Sequence, residues 1–197
     1  MIPTQTDPSA TLQLTHLLGS GNERLCWVHP TEPSKCIKTV KPGVVGRYQN
    51  DLDFHYYQQL KARGIGGPHI PVVFGWVETN QGRGLVEERI VGPGGAGPLS
   101  ISRALESGFL SRERAYKLIE EAFSWFITHS VVVSDCNPEH FVLRQNDSGR
   151  EVLAVVDGLG GRYLDFRYRL RNRFFWYARR KSRKTWQQLQ EMVFPAK

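Results

Sequence analysis

The alternation of apolar and polar side chains predicts a sheet in the first 90 residues. Five segments are predicted as strands, the first because its apolar and polar side chains alternate, and turns or a helix separate them. These segments are 11–21, 24–29, 35–41, 69–78 and 82–90. Between the third and the fourth, Leu52, Tyr56 and Leu60 recur at helical spacing before a glycine, which predicts a helix over residues 46–64. The predicted order is three strands, one helix and two strands.

The pattern changes at residues 91–98, where four glycines and two prolines stand in eight residues. Such a composition excludes a regular element, so we place a domain boundary there, with one domain over residues 1–90 and the other over 91–197. Beyond the boundary, helical periodicity dominates. We therefore expect an α+β protein whose antiparallel sheet lies in the first domain and whose second domain is mainly helical.

The second domain is predicted to contain two helices and then a hairpin. A short helix is predicted over residues 100–107, and Ser111 is placed to cap a longer one that ends near residue 130. The apolar face of the longer helix consists of Ala115, Leu118, Ile119, Ala122 and Phe126. Two apolar runs, 141–144 and 151–158, flank the turn sequence QNDSG and predict a pair of strands.

Composition places the chain among globular proteins, because 40% of its 197 residues are hydrophobic and 23% are charged. No apolar run approaches the roughly 20 residues that span a bilayer. The N-terminus lacks the basic start and the apolar core of a signal peptide. Cys26, Cys36 and Cys136 form no CxxC pair, which favours reduced thiols in a cytoplasmic protein over a disulfide or a zinc site.

The net charge of +7 is concentrated near the C-terminus. Residues 162–197 hold 11 Lys and Arg against two acids, a local +9, so residues 1–161 carry −2. An apolar stripe with a four-residue period runs through this segment, formed by Phe166, Leu170, Phe174 and Ala178. Arginines stand between its members, namely Arg167, Arg169, Arg171, Arg173, Arg179 and Arg180. The combination predicts a basic amphipathic helix.

Two roles of the basic helix stay open at this point. Its apolar face can pack onto the second domain, or it can lie on an anionic membrane surface, which would make the protein peripheral to the inner membrane. Nucleic acid is disfavoured as a partner, because the rest of the chain is slightly acidic and contains no recognition motif.

Two features of the first domain are candidates for phosphate binding. Gly19 and Gly21 join the first two predicted strands, and glycines allow backbone N–H groups to approach a phosphate closely, although most such pairs are hairpin turns. Lys38 stands in the third strand, where it can point into water or towards phosphates. In the second case an acid of the next helix would fix it, with Asp53 as the first choice and Asp51 as the second.

Two features of the second domain are candidates for catalysis and metal binding. The segment SDCNPEH, residues 134–140, follows three valines and exposes Asp135, Asn137 and His140 around a proline. It can be an ordinary solvated turn or a loop that carries chemistry. Asp157 ends the apolar run LAVVDG, and a carboxylate at the end of a strand is a common place to hold a metal.

The order of these features resembles that of the protein-kinase-like fold. Residues 134–140 are similar to the family's catalytic loop, HRDLKPEN, and VVDGLG at 155–160 is similar to its DFG segment. More closely, the chain resembles the bacterial YrbL family, kinase-like proteins named for a PhoP regulatory network. The stretches LGSGNERLCWVHP, KCIKTVKP and GLVEERIVGPGG carry that likeness, together with the Tyr-Tyr helix and the basic C-terminus.

The resemblance implies a compact two-lobe fold that uses ATP and Mg²⁺. Lys38 would hold the α- and β-phosphates and would pair with Asp53, and Asp135 would be the base or would orient the accepting hydroxyl. Asp157 would bind Mg²⁺, with Asn137 or His140 at the place of a second metal ligand. The backbone that would meet the adenine is that of Glu87, Glu88 and Arg89.

Several departures from the family's pattern limit what the resemblance implies. Arg24 stands where the glycine loop has its third glycine, and His140 stands where a metal-binding asparagine is expected, although Mg²⁺ prefers oxygen ligands. Asp53 is one methylene shorter than the usual glutamate. Only 39 residues follow Gly158, too few for an activation segment and a peptide-binding surface.

The expected function is therefore that of an ATP- and Mg²⁺-dependent phosphotransferase with a small-molecule, sugar or lipid-linked acceptor. The first alternative is a nucleotide-binding pseudokinase with a regulatory role, which His140 and the short C-terminal part favour. The second is a membrane-peripheral adaptor, which only the basic segment supports.

Overall fold

The structure is a computed structural model that describes residues 11–45, 48–95, 97–146, 148–161 and 174–195. The chain divides into two compact units. The first unit comprises residues 1–50 and 72–89, and the second comprises residues 51–71 and 90–197. The division after Arg89 falls one residue before the boundary inferred from composition, whereas residues 51–71 group with the second unit.

The first unit is built on a five-stranded antiparallel sheet. Its strands are β1 (Leu17–Ser20), β2 (Arg24–Val28), β3 (Lys35–Val40), β4 (Val73–Thr79) and β5 (Gly82–Glu88). They lie in the order β1-β2-β3-β5-β4, so β5 pairs with β3 across the intervening chain. One face of the sheet buries Leu14, Ile37 and Val86 in an apolar cluster. The predicted antiparallel sheet is confirmed.

Helix α1 (Gln49–Ala62) follows β3, as the periodicity predicted. Leu52, Tyr56 and Leu60, the residues at helical spacing, are all buried. The Tyr56 hydroxyl accepts a hydrogen bond of 2.6 Å from the backbone N–H of Val132. This helix is thereby tied to the segment that precedes residues 134–140.

The second unit combines helices with a small antiparallel sheet. The helices are α2 (Ile101–Glu106), α3 (Arg112–Thr128) and α4 (Phe175–Val193), and two short 3-10 turns are formed by Pro93–Gly95 and Pro138–His140. The strands are β6 (Leu99–Ser100), β7 (Phe141–Gln145) and β8 (Glu151–Val155), in the order β6-β7-β8. The predicted hairpin of β7 and β8 is confirmed. Strand β6 was not predicted, because a period of two cannot be detected in two residues.

Helix α3 forms the centre of the second unit. The Ser111 side chain accepts a hydrogen bond of 3.1 Å from the Arg114 N–H, which confirms the predicted N-cap. All five residues of the predicted apolar face are buried. Phe123 adds to them and stacks on Phe141 of β7 at 5.7 Å between ring centroids. The core of this unit thus lies directly beneath the hairpin that carries the candidate loops.

Helix α4 is the described part of the basic C-terminal segment. The predicted stripe members at positions 166 and 170, and Arg167, Arg169, Arg171 and Arg173, lie outside the described residues. Phe174 is 41% exposed, so it does not share a buried face with Ala178 as the stripe required. The buried residues of the helix are Ala178, Ser182, Thr185 and Leu189. Among the helices that the structure describes, none is long and apolar enough to cross a membrane.

Candidate functional site

The glycine turn of the first unit joins β1 and β2, where the sequence placed it. Gly21 donates its N–H to the carbonyl of Arg24 at 2.9 Å, which closes the turn. A Cβ built on Gly19 would meet no atom within 4 Å. The backbone at Gly19 is therefore open to close approach from outside the sheet.

Arg24, which replaces the third glycine, is buried within the first unit. Its Nη1 donates a hydrogen bond of 3.1 Å to the Asn50 side-chain oxygen. The Asn50 side-chain nitrogen donates in turn to the carbonyl of Lys38 at 2.7 Å. The residue that departs from the family's pattern thus links the glycine turn to the strand that carries Lys38.

Lys38 forms a buried ion pair with Glu87. Its Nζ lies 2.7 Å from Glu87 Oε2, and the two side chains are 11% and 3% exposed. Both stand on the sheet face opposite the apolar cluster, since Lys38 alternates with the buried Ile37 along β3. From the sequence, Glu87 was expected to meet the adenine through its backbone. The ion pair with Lys38 was not predicted, because the pair depends on the register in which β3 pairs with β5. The predicted pairing of Lys38 with Asp53, a buried residue of the second unit, stays a prediction.

Two cysteines share the charged face of the sheet with this pair. Cys26 is the cross-strand neighbour of Lys38, and Cys36 is that of Glu87. The pKa of the Cys26 thiol is lowered, first by its interaction with the neighbouring Cys36 thiol and then by the charges of Lys38 and Arg24, against the opposing effect of burial. The pKa of Cys36, whose S–H donates to the carbonyl of Glu88 at 3.8 Å, is raised by the interaction with Cys26 and by burial. Cys26 is therefore the more acidic thiol of the two.

The backbone of the segment that was predicted to meet the adenine takes part in bonds within the first unit. The N–H of Glu88 donates to the carbonyl of Val72 at 2.7 Å, and the N–H of Arg89 donates to the carbonyl of Ser34 at 2.9 Å. A backbone N–H makes one hydrogen bond at a time. A ligand at Glu88 or Arg89 would therefore have to use carbonyl oxygens or displace one of these bonds.

In the second unit, residues 134–140 form a compact hydrogen-bonded loop. The Asn137 N–H donates to Asp135 Oδ1 at 3.0 Å, and Asn137 Oδ1 accepts from the Glu139 N–H at 3.1 Å. His140 Nδ1 lies 3.5 Å from Asp135 Oδ2, and His140 Nε2 lies 3.4 Å from the Asn137 side-chain nitrogen. The structure thus brings together the three polar residues that the sequence had singled out in this loop.

The far end of this loop is fixed by the start of α2. Glu139 accepts hydrogen bonds from the hydroxyls of Ser100 and Ser102 and lies 3.3 Å from Arg103 Nε. Ser100 is also the N-cap of α2 and accepts from the Arg103 N–H. Hydrogen bonds and an ion pair therefore attach the loop to the start of α2, so it is not an unsupported surface turn.

Asp157 and Gly158 pack directly against the loop. Both the N–H and the hydroxyl of Ser134 donate to the carbonyl of Gly158, each at 2.8 Å. Gly158 has a φ of +83°, and a Cβ at this position would lie 2.4 Å from Asp135 Cβ. Only glycine permits this approach. As a result, the turn that follows Asp157 lies against the backbone that carries Asp135.

The oxygen-bearing residues of these two turns fit a hard cation, but His140 does not. Mg²⁺ is usually held by one or two carboxylates together with water and substrate phosphates. Asp157 and Asp135 supply carboxylates, whereas both ring nitrogens of His140 face Asp135 and Asn137. Within the described residues, no three side chains of the types His, Cys, Asp and Glu form a group that could hold a metal. An ion at this site would be held by the carboxylates of Asp135 and Asp157 together with the phosphates of its substrate.

Helix α4 supports the same loop through a polar buried stripe that the sequence did not suggest. Ser182 accepts from the Val133 N–H at 3.0 Å and donates to the carbonyl of Val131 at 2.7 Å. Thr185 donates to the carbonyl of Val133 at 2.7 Å. Lys181 donates to the carbonyl of Ser134 at 3.1 Å. The helix therefore satisfies the backbone of residues 131–134, and the packing role foreseen for it is the one that the structure describes.

Arg179 and Lys181 are therefore not simply solvated charges of a membrane-facing surface. Arg179 donates from Nε to the Ser130 hydroxyl at 3.0 Å, next to the bonds of Ser182 and Thr185. A periodic search for apolar side chains could not have found this stripe, because its buried members are partly polar. A membrane role for the basic segment as a whole stays a prediction.

Comparison with known proteins finds a family whose model matches most of this chain. The model of the family described as PhoP regulatory network protein YrbL matches residues 10–193. The YrbL proteins of Escherichia coli (strain K12) and Shigella flexneri are each 25% identical to this chain over 146 residues. Each alignment covers 73% of this chain and 70% of the relative.

Among solved structures, the chain is similar to the kinase domain of PknI from Mycobacterium tuberculosis, crystallised as a double mutant. The TM-score is 0.46 and the sequence identity is 14%. The match covers 79% of this chain and 64% of the PknI chain.

Proposed function

This chain belongs to the family of PhoP regulatory network proteins named YrbL, and from the residues that it places together we propose that it is an ATP- and Mg²⁺-dependent phosphotransferase. The observation that carries the proposal is the contact between the Asp135 loop and the turn after Asp157. Two carboxylate-bearing turns that were singled out separately by their similarity to a catalytic loop and a DFG segment lie side by side in the second unit. A surface turn would not require a glycine at the point of contact.

The proposed reaction transfers the γ-phosphoryl group of ATP to a hydroxyl group. The acceptor oxygen forms a bond to phosphorus, the bond between that phosphorus and the β-phosphate oxygen breaks, and ADP leaves. Asp135 accepts the proton of the hydroxyl or orients that hydroxyl for attack. Mg²⁺, when bound, neutralises charge on the phosphate oxygens, and Asp157 is the residue that would hold it.

Lys38 would serve this reaction by binding the α- and β-phosphates. Its ammonium is held by Glu87 on a regular strand, so its position is defined before a nucleotide arrives. Gly19 and Gly21 would allow backbone N–H groups to approach the same phosphates. The acceptor hydroxyl in this proposal belongs to a small molecule, a sugar or a lipid-linked group.

Nucleotide binding is tested by the thermal stability of the purified protein with Mg-ATP. A ligand that binds only the native state at about 100 times its Kd stabilises the protein by roughly 2.7 kcal/mol. For a chain of this size that corresponds to a rise in Tm of about 5–10 °C. The Asp157→Ala variant should lose the shift, and the Asp135→Asn variant should keep it. No rise for the unmodified protein at millimolar Mg-ATP would contradict the proposal.

Turnover is tested with the same variants by the release of ADP. Replacement of a positioned general base typically slows a reaction by about 10² or more. Asp135→Asn should therefore reduce ADP release by that factor while the thermal shift is unchanged. Equal rates in the two proteins would show that Asp135 has no part in the chemistry.

A second candidate function is that of a nucleotide-binding pseudokinase with a regulatory role. The position of His140 favours it, because its Nδ1 lies 3.5 Å from Asp135 Oδ2 and so places an imidazole beside the carboxylate that would have to receive a proton. Under this alternative the unmodified protein shows the thermal shift but releases no ADP. The His140→Asn variant, which restores an oxygen ligand, should then gain activity.

A further inference from the structure

We propose that the exposed face of helix α4 is a docking surface for membranes that contain anionic phospholipid. Four exposed residues define this basic face, namely Trp176, Arg180, Arg183 and Lys184. The face is not the apolar stripe that the sequence predicted, because it lies opposite the buried residues of the helix. The inference does not depend on the proposed phosphotransferase function.

The basic face points away from the core of the second unit. Trp176, Arg180 and Arg183 follow one another at spacings of four and three residues, which places them on one side of an α-helix. The other side is fixed, because the buried Ser182 and Thr185 make hydrogen bonds of 2.7–3.0 Å to the backbone beneath them. The helix cannot turn its basic face inwards without breaking these bonds, which are costly to lose. The face therefore remains available to a partner.

The charges of the basic face have no acid close enough to neutralise them. Side chains three and four positions apart are neighbours on a helix, and no Asp or Glu stands at those distances from Arg180, Arg183 or Lys184. Glu191, close to the other end of the helix, is the one acid in residues 174–195. Within the part of the chain that the structure describes, these three cations form no hydrogen bond or ion pair.

This arrangement of charges is unfavourable for the protein alone. Arg180 stands three positions before Arg183 and four before Lys184, so like charges meet on adjacent turns and weaken the helix. On helix α3, by contrast, the exposed Lys117 lies 2.7 Å from a glutamate one turn away. A negatively charged partner would remove the repulsion on α4, which is why we assign such a partner to the basic face.

The aromatic end of the same helix identifies the anionic partner as a membrane. Phe174, Phe175 and Trp176 are 41%, 55% and 62% exposed and stand together at the start of α4. Arg63 lies over the Phe175 ring at 4.9 Å, so a cation accompanies these apolar groups. A lipid surface receives both, because aromatic rings enter the boundary between headgroups and acyl chains while arginines meet the phosphates. A nucleic acid is disfavoured, because residues 1–161 carry a net charge of −2 and would repel its backbone.

The test measures binding of the full chain to sedimented vesicles, made either of phosphatidylcholine alone or of equal parts phosphatidylcholine and phosphatidylglycerol. The unmodified protein should bind the anionic vesicles and should lose that binding as added salt screens the charges. Each basic residue near such a surface contributes about a fivefold gain in affinity, so the triple variant Arg180→Gln, Arg183→Gln, Lys184→Gln should bind about one hundred times more weakly. Trp176→Ala, which removes apolar area and no charge, should weaken binding about tenfold.

The matched control removes the same charge from other exposed positions of the second unit. The triple variant Lys61→Gln, Lys117→Gln, Arg150→Gln should bind anionic vesicles nearly as well as the unmodified protein. The variant Arg180→Lys, Arg183→Lys keeps the charge and should also bind, because fluid lipid phosphates require no fixed donor geometry. If the triple variant of α4 does not fold, Arg180→Gln and Arg183→Gln replace it, each with binding about five times weaker.

The outcomes decide between charge on this face, net charge and a nucleic acid. Weaker binding of the α4 variants, with binding retained by the control, supports the inference. Equal weakening in the control shows that net charge alone acts and overturns it. An unmodified protein that does not bind anionic vesicles also overturns it, and if that protein binds a single-stranded oligonucleotide, the basic face belongs to a nucleic acid. None of these results bears on the release of ADP, so the phosphotransferase proposal stands or fails separately.

Discussion

The two units hold their candidate residues in opposite ways. In the first unit, Lys38 and Glu87 stand on adjacent regular strands, are buried and face each other at 2.7 Å. In the second unit, Asp135 and Asp157 stand on irregular turns that are joined by backbone hydrogen bonds and by the close approach at Gly158. The first arrangement depends on charge, and the second depends on backbone geometry. Substitutions should therefore damage the two units by different mechanisms.

The largest effect is expected from Lys38→Met. Removal of one partner of a buried ion pair leaves the other charge buried, which typically costs about 3–5 kcal/mol in the free energy of unfolding. Urea denaturation should show this loss. Because the cause is the remaining carboxylate, the double variant Lys38→Met, Glu87→Gln should regain much of the stability.

The matched control for this pair is Lys35→Met on the same strand. Lys35 pairs with Glu32, which is 48% exposed, and exposed pairs contribute little to stability. If Lys38→Met unfolds at the same urea concentration as Lys35→Met, the buried pair is not what stabilises the sheet.

The next largest effect is expected from Gly158→Ala in the second unit. Alanine at a φ of +83° is strained by about 1–2 kcal/mol, and its Cβ would overlap that of Asp135 at 2.4 Å, for which overpacking adds roughly 1–3 kcal/mol. The variant should lose about 2–5 kcal/mol or displace Asp135, and urea denaturation together with ADP release would detect either result.

Gly149→Ala separates these two causes. Gly149 has a similar φ of +75°, but a Cβ there would meet nothing within 4 Å, so only the backbone strain applies. Equal losses in the two alanine variants would mean that the contact with Asp135 is unimportant.

A smaller effect, measured as a ratio of rates, is expected for the thiols of the first unit. The pKa of Cys26 is lowered by its interaction with the Cys36 thiol and by neighbouring positive charge, whereas that of Cys36 is raised. Because the thiolate is the reactive form, iodoacetamide should modify Cys26 several times faster than Cys36 in the native protein, as followed by peptide mass spectrometry. In urea the two rates should converge. Faster modification of Cys36 would show that the charged face of the sheet does not act on Cys26.

The smallest effect concerns His69, which supports strand β8. Its Nδ1–H donates to the carbonyl of Leu153 at 2.7 Å, and its own carbonyl accepts from the Val155 N–H at 2.9 Å. Burial lowers the pKa of its imidazole below the ordinary value of about 6.5. The unfolded chain then binds the proton more readily, so stability is full above about pH 6.5 and falls as the pH drops from there towards the pKa of the folded state.

The measurement is the urea midpoint between pH 7.5 and pH 5, compared with that of His69→Gln. The unmodified protein should lose more stability on acidification than the variant, in which this group no longer titrates. His55→Gln is the control, because that imidazole is exposed and its Nε2 lies 2.9 Å from the Gln59 side chain of the same helix. Identical pH dependence in the unmodified protein and His69→Gln would remove His69 as the cause.

Local patterns were sufficient to predict most elements of this fold. Strands β1 to β5, the β7–β8 hairpin and helices α1 and α3 follow from a period of two or 3.6 and from capping or turn residues such as Ser111. The candidate residues that stand at such interruptions, among them Gly21 and Asp135, were found for the same reason. A break in a periodic pattern is visible in the sequence itself.

Contacts that depend on how elements pair were not predictable in this way. Glu87 is 49 positions from Lys38 and becomes its partner only through the pairing of β3 with β5. The buried stripe of α4 was missed because Ser182 and Thr185 are polar, and their burial is explained by the backbone groups of Val131 and Val133 that they satisfy.

The sequence by itself determined the order of elements, the concentration of positive charge after residue 161 and the two turns that carry Asp135 and Asp157, because each is a property of neighbouring residues. Tertiary structure decided which charged side chains form ion pairs, which glycine cannot be replaced and which backbone groups the C-terminal helix satisfies. Hydrogen bonds and ion pairs act over about 3 Å, so they are formed only after distant segments have been brought together. That is why Lys181, which lies 46 positions from Asp135 in the sequence, was found in the structure as a neighbour of its loop.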